Sequence, residues 1–225
     1  MKFRHEYKHC INMSDYYMIT SKLKHIARLD TNAGGSGEYR IRSLYFDNYN
    51  DKILNEKVLG INNRDKFRIR YYNDETHFIK LEKKSKINGL CLKLSATITA
   101  EECEKILTGD IDFLRQSPKG LFNEFYVKMK DQLLKPRTIV DYTREAYIYE
   151  PGNVRITFDK KIRTGIKATD FLNQDVVTTG IIDNSMMVLE VKFDEFLPAV
   201  IQDCIQTNTR RAQSVSKYAL CRMYG

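Results

Sequence analysis

The stretch KFRIRYY, residues 66 to 72, constrains the fold most, because cations alternate in it with hydrophobic side chains. Successive side chains of a β-strand point to opposite faces of the sheet. A strand here therefore places Lys66, Arg68 and Arg70 on one face and the apolar or aromatic residues on the other. A solvent-facing strand usually mixes charges of both signs, whereas this face carries three cations and no acid.

The same alternation predicts strands elsewhere in the chain. At least five segments combine one apolar face with one face rich in Lys and Arg, on which single carboxylates are interspersed. The polar faces comprise Arg4, Glu6 and Lys8 in KFRHEYKHCI, Lys80, Glu82 and Lys84 in HFIKLEKKS, Arg155, Thr157, Asp159 and Lys161 in VRITFDKKIR, and Glu190 and Lys192 in MMVLEVKF.

Helical patterns fill much of the remaining chain. Ser14 is predicted to cap a helix over SDYYMITSKLKHIARL, and Thr99 and Glu102 have the spacing of a capping box. The segment GLFNEFYVKMKDQLL and the chain after Pro198 also show helical periodicity, whereas DTNAGGSGEY is predicted to be a flexible loop. No linker or repeat indicates a second domain, so residues 1–225 are predicted to form a single one.

Composition indicates a globular protein with an anionic partner. The 225 residues are 42% hydrophobic and 29% charged, and 37 Lys and Arg against 29 Asp and Glu give a formal charge of +8. The charged N-terminus is not a secretory signal, and no stretch is apolar enough to span a membrane. Five scattered cysteines are typical of reduced thiols. We therefore expect a cytoplasmic protein.

Two folds would satisfy the alternation of charge. In the simpler one, the charged face of an open sheet lies in water, which is the more common explanation. Solvated faces usually include small polar residues, however, whereas these faces concentrate arginine, and surface ion pairs contribute too little stability to explain the recurrence. We favour an α+β fold, a closed antiparallel β-barrel of about eight strands with the cations inside and helices packed on the outside.

Such a barrel would form a phosphate-binding tunnel. Cations crowded into a confined lumen require an anion of comparable charge. Guanidinium groups bind two phosphate oxygens at once, and the few glutamates suit Mg²⁺, which takes one or two carboxylates together with substrate phosphates. Nucleic acid is not an expected partner, because the aromatic side chains that could stack on bases lie on the face opposite the cations.

Eight short motifs occur in an order that resembles the polyphosphate polymerase (VTC) domain of the triphosphate tunnel metalloenzyme, or CYTH-like, superfamily. Each motif is weak alone, but together they extend from Phe3 to Tyr218. The motifs are FRHEYK, SLYFDN, KFRIRYY, KLEKK, DYTREAY, RITFD, LEVK and SVSKY.

This resemblance implies a tunnel that binds ATP through its phosphates, with glutamate holding Mn²⁺ or Mg²⁺ as the cofactor. In the polymerase branch, the γ-phosphate of ATP is transferred to a growing inorganic polyphosphate chain. The alternatives are a tunnel triphosphatase, in which water is the acceptor, and a non-catalytic binder of polyphosphate or nucleotide. Eukaryotic members carry a membrane part, so translocation of a product would here need a separate membrane partner protein.

The resemblance also implies a set of site residues. Glu190 is the first choice as metal ligand and Glu6 the second. Because Arg4 replaces the first acid of the superfamily motif ExExK, the sequence favours the polymerase over a two-metal hydrolase. The expected catalytic residues are Arg68, Arg70, Lys80, Arg144, Arg155 and Lys217, and the expected substrate-binding residues are Lys8, Lys66, Lys84, Lys93, Lys161 and Lys192.

Overall fold

A computed structural model describes residues 3–206 and 214–224. The framework of these described residues is one antiparallel sheet, in which eight long strands follow the order β1-β10-β8-β7-β3-β4-β5-β6, while the short strands β2 and β9 pair with β7 and β8. The strands are β1 (His5–Asn12), β2 (Arg28–Leu29), β3 (Glu38–Asp47), β4 (Arg64–Tyr72), β5 (Ile79–Ile87), β6 (Leu90–Ile98), β7 (Lys135–Tyr149), β8 (Val154–Thr164), β9 (Thr179–Gly180) and β10 (Met186–Phe193).

The prediction of a closed barrel is wrong. The sheet curls into an open half-barrel. In the described chain, the only backbone pairing between its two edges joins Arg4, just before β1, to Cys91 of β6, through hydrogen bonds of 3.0 and 2.9 Å. The reason is stagger. Because the two strands are antiparallel, the residues of β1 that follow Arg4 lie opposite positions that precede Cys91. Strand β6 begins only at Leu90, so β1 has almost no strand to pair with there. Side-chain alternation predicts which residues share a face of the sheet, but it does not predict how far β1 and β6 overlap.

Seven α-helices accompany the sheet within the described residues. The apolar outer face of the sheet packs against them in two hydrophobic clusters, as between Phe67 of β4 and Phe125, whose ring centroids lie 5.1 Å apart. The helices are α1 (Met13–Leu23), α2 (Lys52–Val58), α3 (Ala100–Thr108), α4 (Asp112–Arg115), α5 (Gly120–Asp131), α6 (Ala199–Ile205) and α7 (Lys217–Met223).

The helix boundaries correct some predictions and confirm others. The cap of α1 is Asn12 and not Ser14, because β1 continues to Asn12, whose side chain accepts a 2.9 Å hydrogen bond from the Asp15 backbone. The capping box of Thr99 and Glu102 is confirmed at the start of α3. The predicted flexible loop contains a 3₁₀ helix, Thr31–Ser36. No helix among residues 3–206 and 214–224 is long and apolar enough to cross a membrane.

Asp47, at the end of β3, joins two helices that flank the concave face. Its buried carboxylate accepts hydrogen bonds from the backbone N–H groups of Ile53 and Leu54 in α2, at 2.9 and 3.0 Å. It also accepts a 2.6 Å hydrogen bond from the hydroxyl of Tyr218 in α7. This carboxylate therefore fixes the helix that carries Lys217.

We expect Asp47→Ala to lower the free energy of unfolding by about 3 kcal/mol, because it leaves these buried donors unpaired. Urea denaturation measures the loss. Asp203→Ala, at an exposed position of α6, is the control and should change stability by less than about 0.5 kcal/mol. Equal effects of the two substitutions would contradict the role assigned to Asp47.

Candidate functional site

The concave face of the half-barrel surrounds a cavity of about 790 Å³. Among the described residues, its wall contains twelve Lys and Arg but three Glu. They lie on seven strands and α7, except for Arg4, just before β1, and Glu75, in the loop before β5. The cationic faces of separate strands thus converge on one space instead of lying apart in water. The lining cations are Arg4, Lys8, Lys66, Arg68, Arg70, Lys80, Lys84, Lys93, Arg144, Arg155, Lys192 and Lys217.

The structure places thirteen of the fourteen expected site residues around this cavity, and Lys161 is the exception. The register of β7 and β8 shifts where Thr143 pairs with Lys160 but Asp141 pairs with Arg163. Lys161 occupies this bulge with a φ of +50° and an exposed side chain. The alternation that grouped it with Arg155 is interrupted there, so its expected position on the cavity face is corrected.

A buried carboxylate positions the cations of β4. Glu82 accepts hydrogen bonds from Arg68 Nε at 2.8 Å and from Lys93 Nζ at 3.0 Å, and Arg70 lies 3.8 Å away. Burial alone would raise the pKa of Glu82, but these cations outweigh it and hold the pKa far below its usual value. The ionised carboxylate therefore fixes Arg68 in place before any ligand binds.

A second buried carboxylate plays the same part for Arg144 of β7. Asp159 of β8 accepts two hydrogen bonds from the Arg144 guanidinium, at 2.6 and 2.9 Å, and forms an ion pair with Lys217 of α7. Although burial opposes ionisation, Arg144 and Lys217 lower the pKa of Asp159. Two strands, β4 and β7, therefore each present a guanidinium group already held by a carboxylate, and such groups suit the binding of phosphate oxygens.

Glu6 and Glu190 are the carboxylates that could hold a metal ion. Lys8 Nζ lies 2.7 Å from Glu6 and 3.7 Å from Glu190, Lys84 Nζ lies 2.6 Å from Glu6, and Lys192 pairs with Glu190. These lysines outweigh burial and lower the pKa of both acids, so both are ionised. The described residues contain no cluster of three or more potential metal ligands. Two carboxylates nevertheless suit Mg²⁺ or Mn²⁺ when substrate phosphates complete the coordination.

The sequence model of the VTC domain family matches residues 3–224 of this chain. The chain belongs to the VTC domain family. No curated protein gives a significant match to it.

Several solved structures resemble this VTC domain at low sequence identity. A putative adenylate cyclase from Bacillus halodurans is 13% identical, covers 85% of this chain and 80% of its own, and has a TM-score of 0.48. HpAC1 from Hippeastrum, a putative adenylyl cyclase described as having a dominant triphosphatase activity, is 11% identical, with coverages of 87% and 80% and a TM-score of 0.49. The PH1012 protein of Pyrococcus horikoshii is 15% identical, with coverages of 90% and 85% and a TM-score of 0.43.

Lys66 is the cation of the VTC domain that most clearly requires an external anion. Its Nζ donates a 2.9 Å hydrogen bond to Ser216 Oγ, and no acidic partner is present among the described residues. Burial, and then the nearby Lys8 and Lys84, lower the pKa of Lys66 well below its ordinary value. A bound polyanion would restore the protonated form, so ligand binding and charging of Lys66 favour each other.

The expectation that the aromatic side chains lie opposite the cations is wrong for Tyr45 and Tyr142, which line the cavity and hold its arginines. The hydroxyl of Tyr45 accepts a 2.9 Å hydrogen bond from Arg68, and that of Tyr142 accepts one of 2.9 Å from Arg70. The sequence does contain a signal for Tyr142. It lies two residues before Arg144 in the motif DYTREAY, so a strand places both side chains on the same face. Buried tyrosines in such positions serve as hydrogen-bond acceptors as well as core residues.

The cavity of the VTC domain continues into a smaller space of about 110 Å³. The two spaces share Lys8, Lys66 and Lys84, and the smaller one adds Lys57, Arg64 and Lys86. These last three define what we call the basic mouth. In register, Arg64 pairs with Lys86, Lys66 with Lys84, and Arg70 with Lys80. Cations therefore line β4 and β5 from the basic mouth into the main cavity.

Proposed function

We propose that this protein is a phosphotransferase that moves the γ-phosphate of ATP onto a growing inorganic polyphosphate chain within the cavity. The observation that carries the proposal is the convergence of twelve cations, counted in residues 3–206 and 214–224, on one space that continues to the basic mouth. In this proposal, residues 1–225 act as one domain in the cytoplasm. A separate membrane partner protein would be needed only for translocation of the product.

The residues of the cavity suit phosphoryl transfer by positioning and charge. The terminal phosphate oxygen of the acceptor chain attacks the γ-phosphorus, a new P–O bond forms, and the bond from the γ-phosphorus to the bridging oxygen of ADP breaks. Charge spreads over the equatorial oxygens in the transition state. Arg68 and Arg144, already fixed by Glu82 and Asp159, can stabilise that charge without reorganising. The attacking group belongs to the substrate, so no nucleophilic side chain is required.

Glu190 and Glu6 would hold the divalent cation in this proposal. Both are ionised and face the cavity, which fits the donor preference of Mg²⁺ and Mn²⁺. A bound cation neutralises charge on the phosphates. Lys8, Lys84 and Lys192, which contact these carboxylates, would then bind the phosphate oxygens.

The runner-up function is a triphosphatase, in which water replaces the acceptor chain. Two observations favour the polymerase. The basic mouth extends the cationic path beyond the main cavity, and a growing chain would use that path. Moreover, Arg4 occupies the position of an acid in the superfamily motif and pairs with Asp194 at 2.9 Å, so this position cannot supply a third carboxylate for a second metal ion.

We expect the full chain, incubated with ATP and Mn²⁺, to produce the internal-phosphate signal of long-chain polyphosphate in phosphorus NMR spectra. Release of orthophosphate alone would favour the triphosphatase and contradict the polymerase. Unchanged ATP, with retained binding of tripolyphosphate, would indicate a non-catalytic binder. Omission of the metal should abolish turnover in either enzyme.

A further inference from the structure

The two ends of the cationic path differ in chemistry. The basic mouth has no aromatic residue among the described side chains that line it. At the opposite end, the cavity wall contains five residues that we call the aromatic mouth. They are Asn32, Tyr39, Tyr72, Asn73 and Phe78.

Strand register puts the aromatic mouth at the far end of the path. Along β4, Arg64 lies at the basic mouth, Arg68 and Arg70 follow, and Tyr72 ends the strand. Phe78 directly precedes β5, on which Lys80 pairs with Arg70. A strand rises about 3.3 Å per residue, so Tyr72 and Arg64 are separated by roughly 26 Å. The mouths are therefore distinct sites.

We propose that the aromatic mouth binds the nucleobase of ATP, while the basic mouth receives phosphate only. This inference rests on the proposed function, because it assigns the orientation of the substrate within that site. A nucleobase can stack on an aromatic ring whose π-face is accessible, whereas a phosphate group cannot stack. Phe78 lines the cavity and is 42% exposed, so a base can reach its side chain.

Two aromatic side chains of this mouth, Phe78 and Tyr72, each adjoin a cation suited to phosphate. Lys80 Nζ lies 4.7 Å from the Phe78 ring centroid, and the guanidinium carbon of Arg70 lies 5.9 Å from the Tyr72 ring centroid. A base stacked here would place its phosphates toward Arg70 and the cavity interior. The transferred γ-phosphate then lies on the side of Glu6 and Glu190.

The two amides of the aromatic mouth offer groups of opposite polarity. Asn32 Nδ2 donates a 2.7 Å hydrogen bond to Asp30, which leaves its carbonyl oxygen as the acceptor for a ligand. Asn73 Oδ1 accepts a 2.9 Å hydrogen bond from the Arg40 backbone, which leaves its amide nitrogen as the donor. Adenine presents an amino donor beside a ring-nitrogen acceptor. Asn32 can therefore accept a hydrogen bond from an adenine amino group, and Asn73 can donate one to an adenine ring nitrogen.

The test compares the affinities of the full chain for ATP and for tripolyphosphate, without metal, by calorimetry. We expect Phe78→Ala to raise the Kd of ATP about tenfold, in the range of a lost base stack. The Kd of tripolyphosphate should change less than about twofold, which also shows that Lys80 still functions. Tyr49→Ala removes an aromatic residue that is 73% exposed and lies outside both cavities, so it is the matched control.

Tyr72→Leu gives a second measurement should Phe78→Ala fail to fold, which its thermal melt reveals. Selective loss of ATP affinity in either variant supports the nucleobase site. Equal losses for ATP and tripolyphosphate, or no loss for ATP in a folded variant, overturn it. Failure of the wild-type chain to bind tripolyphosphate at all would instead refute the proposed function, so the two failures are distinguishable.

Discussion

Glu190→Gln should reduce turnover of ATP at least about 100-fold while sparing metal-free binding of tripolyphosphate. The amide preserves the shape of the side chain but removes the charge that would hold the divalent cation. Among the described residues, Glu190 is in contact with Lys192, Lys8 and Lys217, so the loss of its charge makes the cavity more positive. Affinity for a bare polyanion should therefore stay constant or increase.

The informative control for Glu190→Gln is Glu75→Gln. Glu75 lines the same cavity, but it is exposed and lies in the loop before β5. This control should retain turnover within about threefold, because an exposed carboxylate contributes little to the field inside the cavity. If Glu190→Gln lost turnover and metal-free binding in equal measure, Glu190 would have a structural role and would not be a metal ligand.

Arg68→Ala should raise the Kd of tripolyphosphate by at least about 30-fold, the range of a charge-assisted hydrogen-bonded pair. The guanidinium of Arg68 donates hydrogen bonds to both Glu82 and Tyr45, which fix its position. Its loss removes a preformed phosphate ligand and leaves Glu82 to Lys93 and Arg70. Calorimetric titration with tripolyphosphate measures the change.

Two further variants separate binding from folding at this position. Arg68→Lys keeps a cation opposite Glu82 but loses the planar fork, so an intermediate Kd is expected. Arg28→Ala removes an arginine whose side chain is 55% exposed on β2, outside the cavity, and should leave the Kd unchanged. Unchanged affinity in a folded Arg68→Ala protein would remove Arg68 from the site.

Strand alternation was sufficient to predict the strand face on which most cations of the cavity wall lie. KFRIRYY sets Lys66, Arg68 and Arg70 on one face, and the structure places all three on the cavity wall. The predicted limits of MMVLEVKF coincide with those of β10, Met186–Phe193. The period-two pattern fixes the assignment of faces because one face of each strand packs against helices while the other lines the cationic cavity. A slip of one residue would therefore bury a cation among apolar side chains.

Other features depend on tertiary geometry that no local pattern records. The bulge that turns Lys161 outward arises from the pairing of β7 with β8, and the failure to close arises from the stagger of Arg4 against Cys91. The sequence places Glu82 near Lys84, yet its carboxylate bonds to Arg68 and Lys93 on neighbouring strands. Such partners are selected across the sheet and not along the chain.

The most direct test of the central claim is a crystal structure of the full chain with Mn²⁺ and a non-hydrolysable ATP analogue. We predict an anomalous manganese peak at Glu190, phosphate density among Arg68, Arg70 and Arg144, and the base beside Phe78. An analogue bound only outside the half-barrel, with its phosphates away from these arginines, would contradict the assignment of this cavity to phosphoryl transfer.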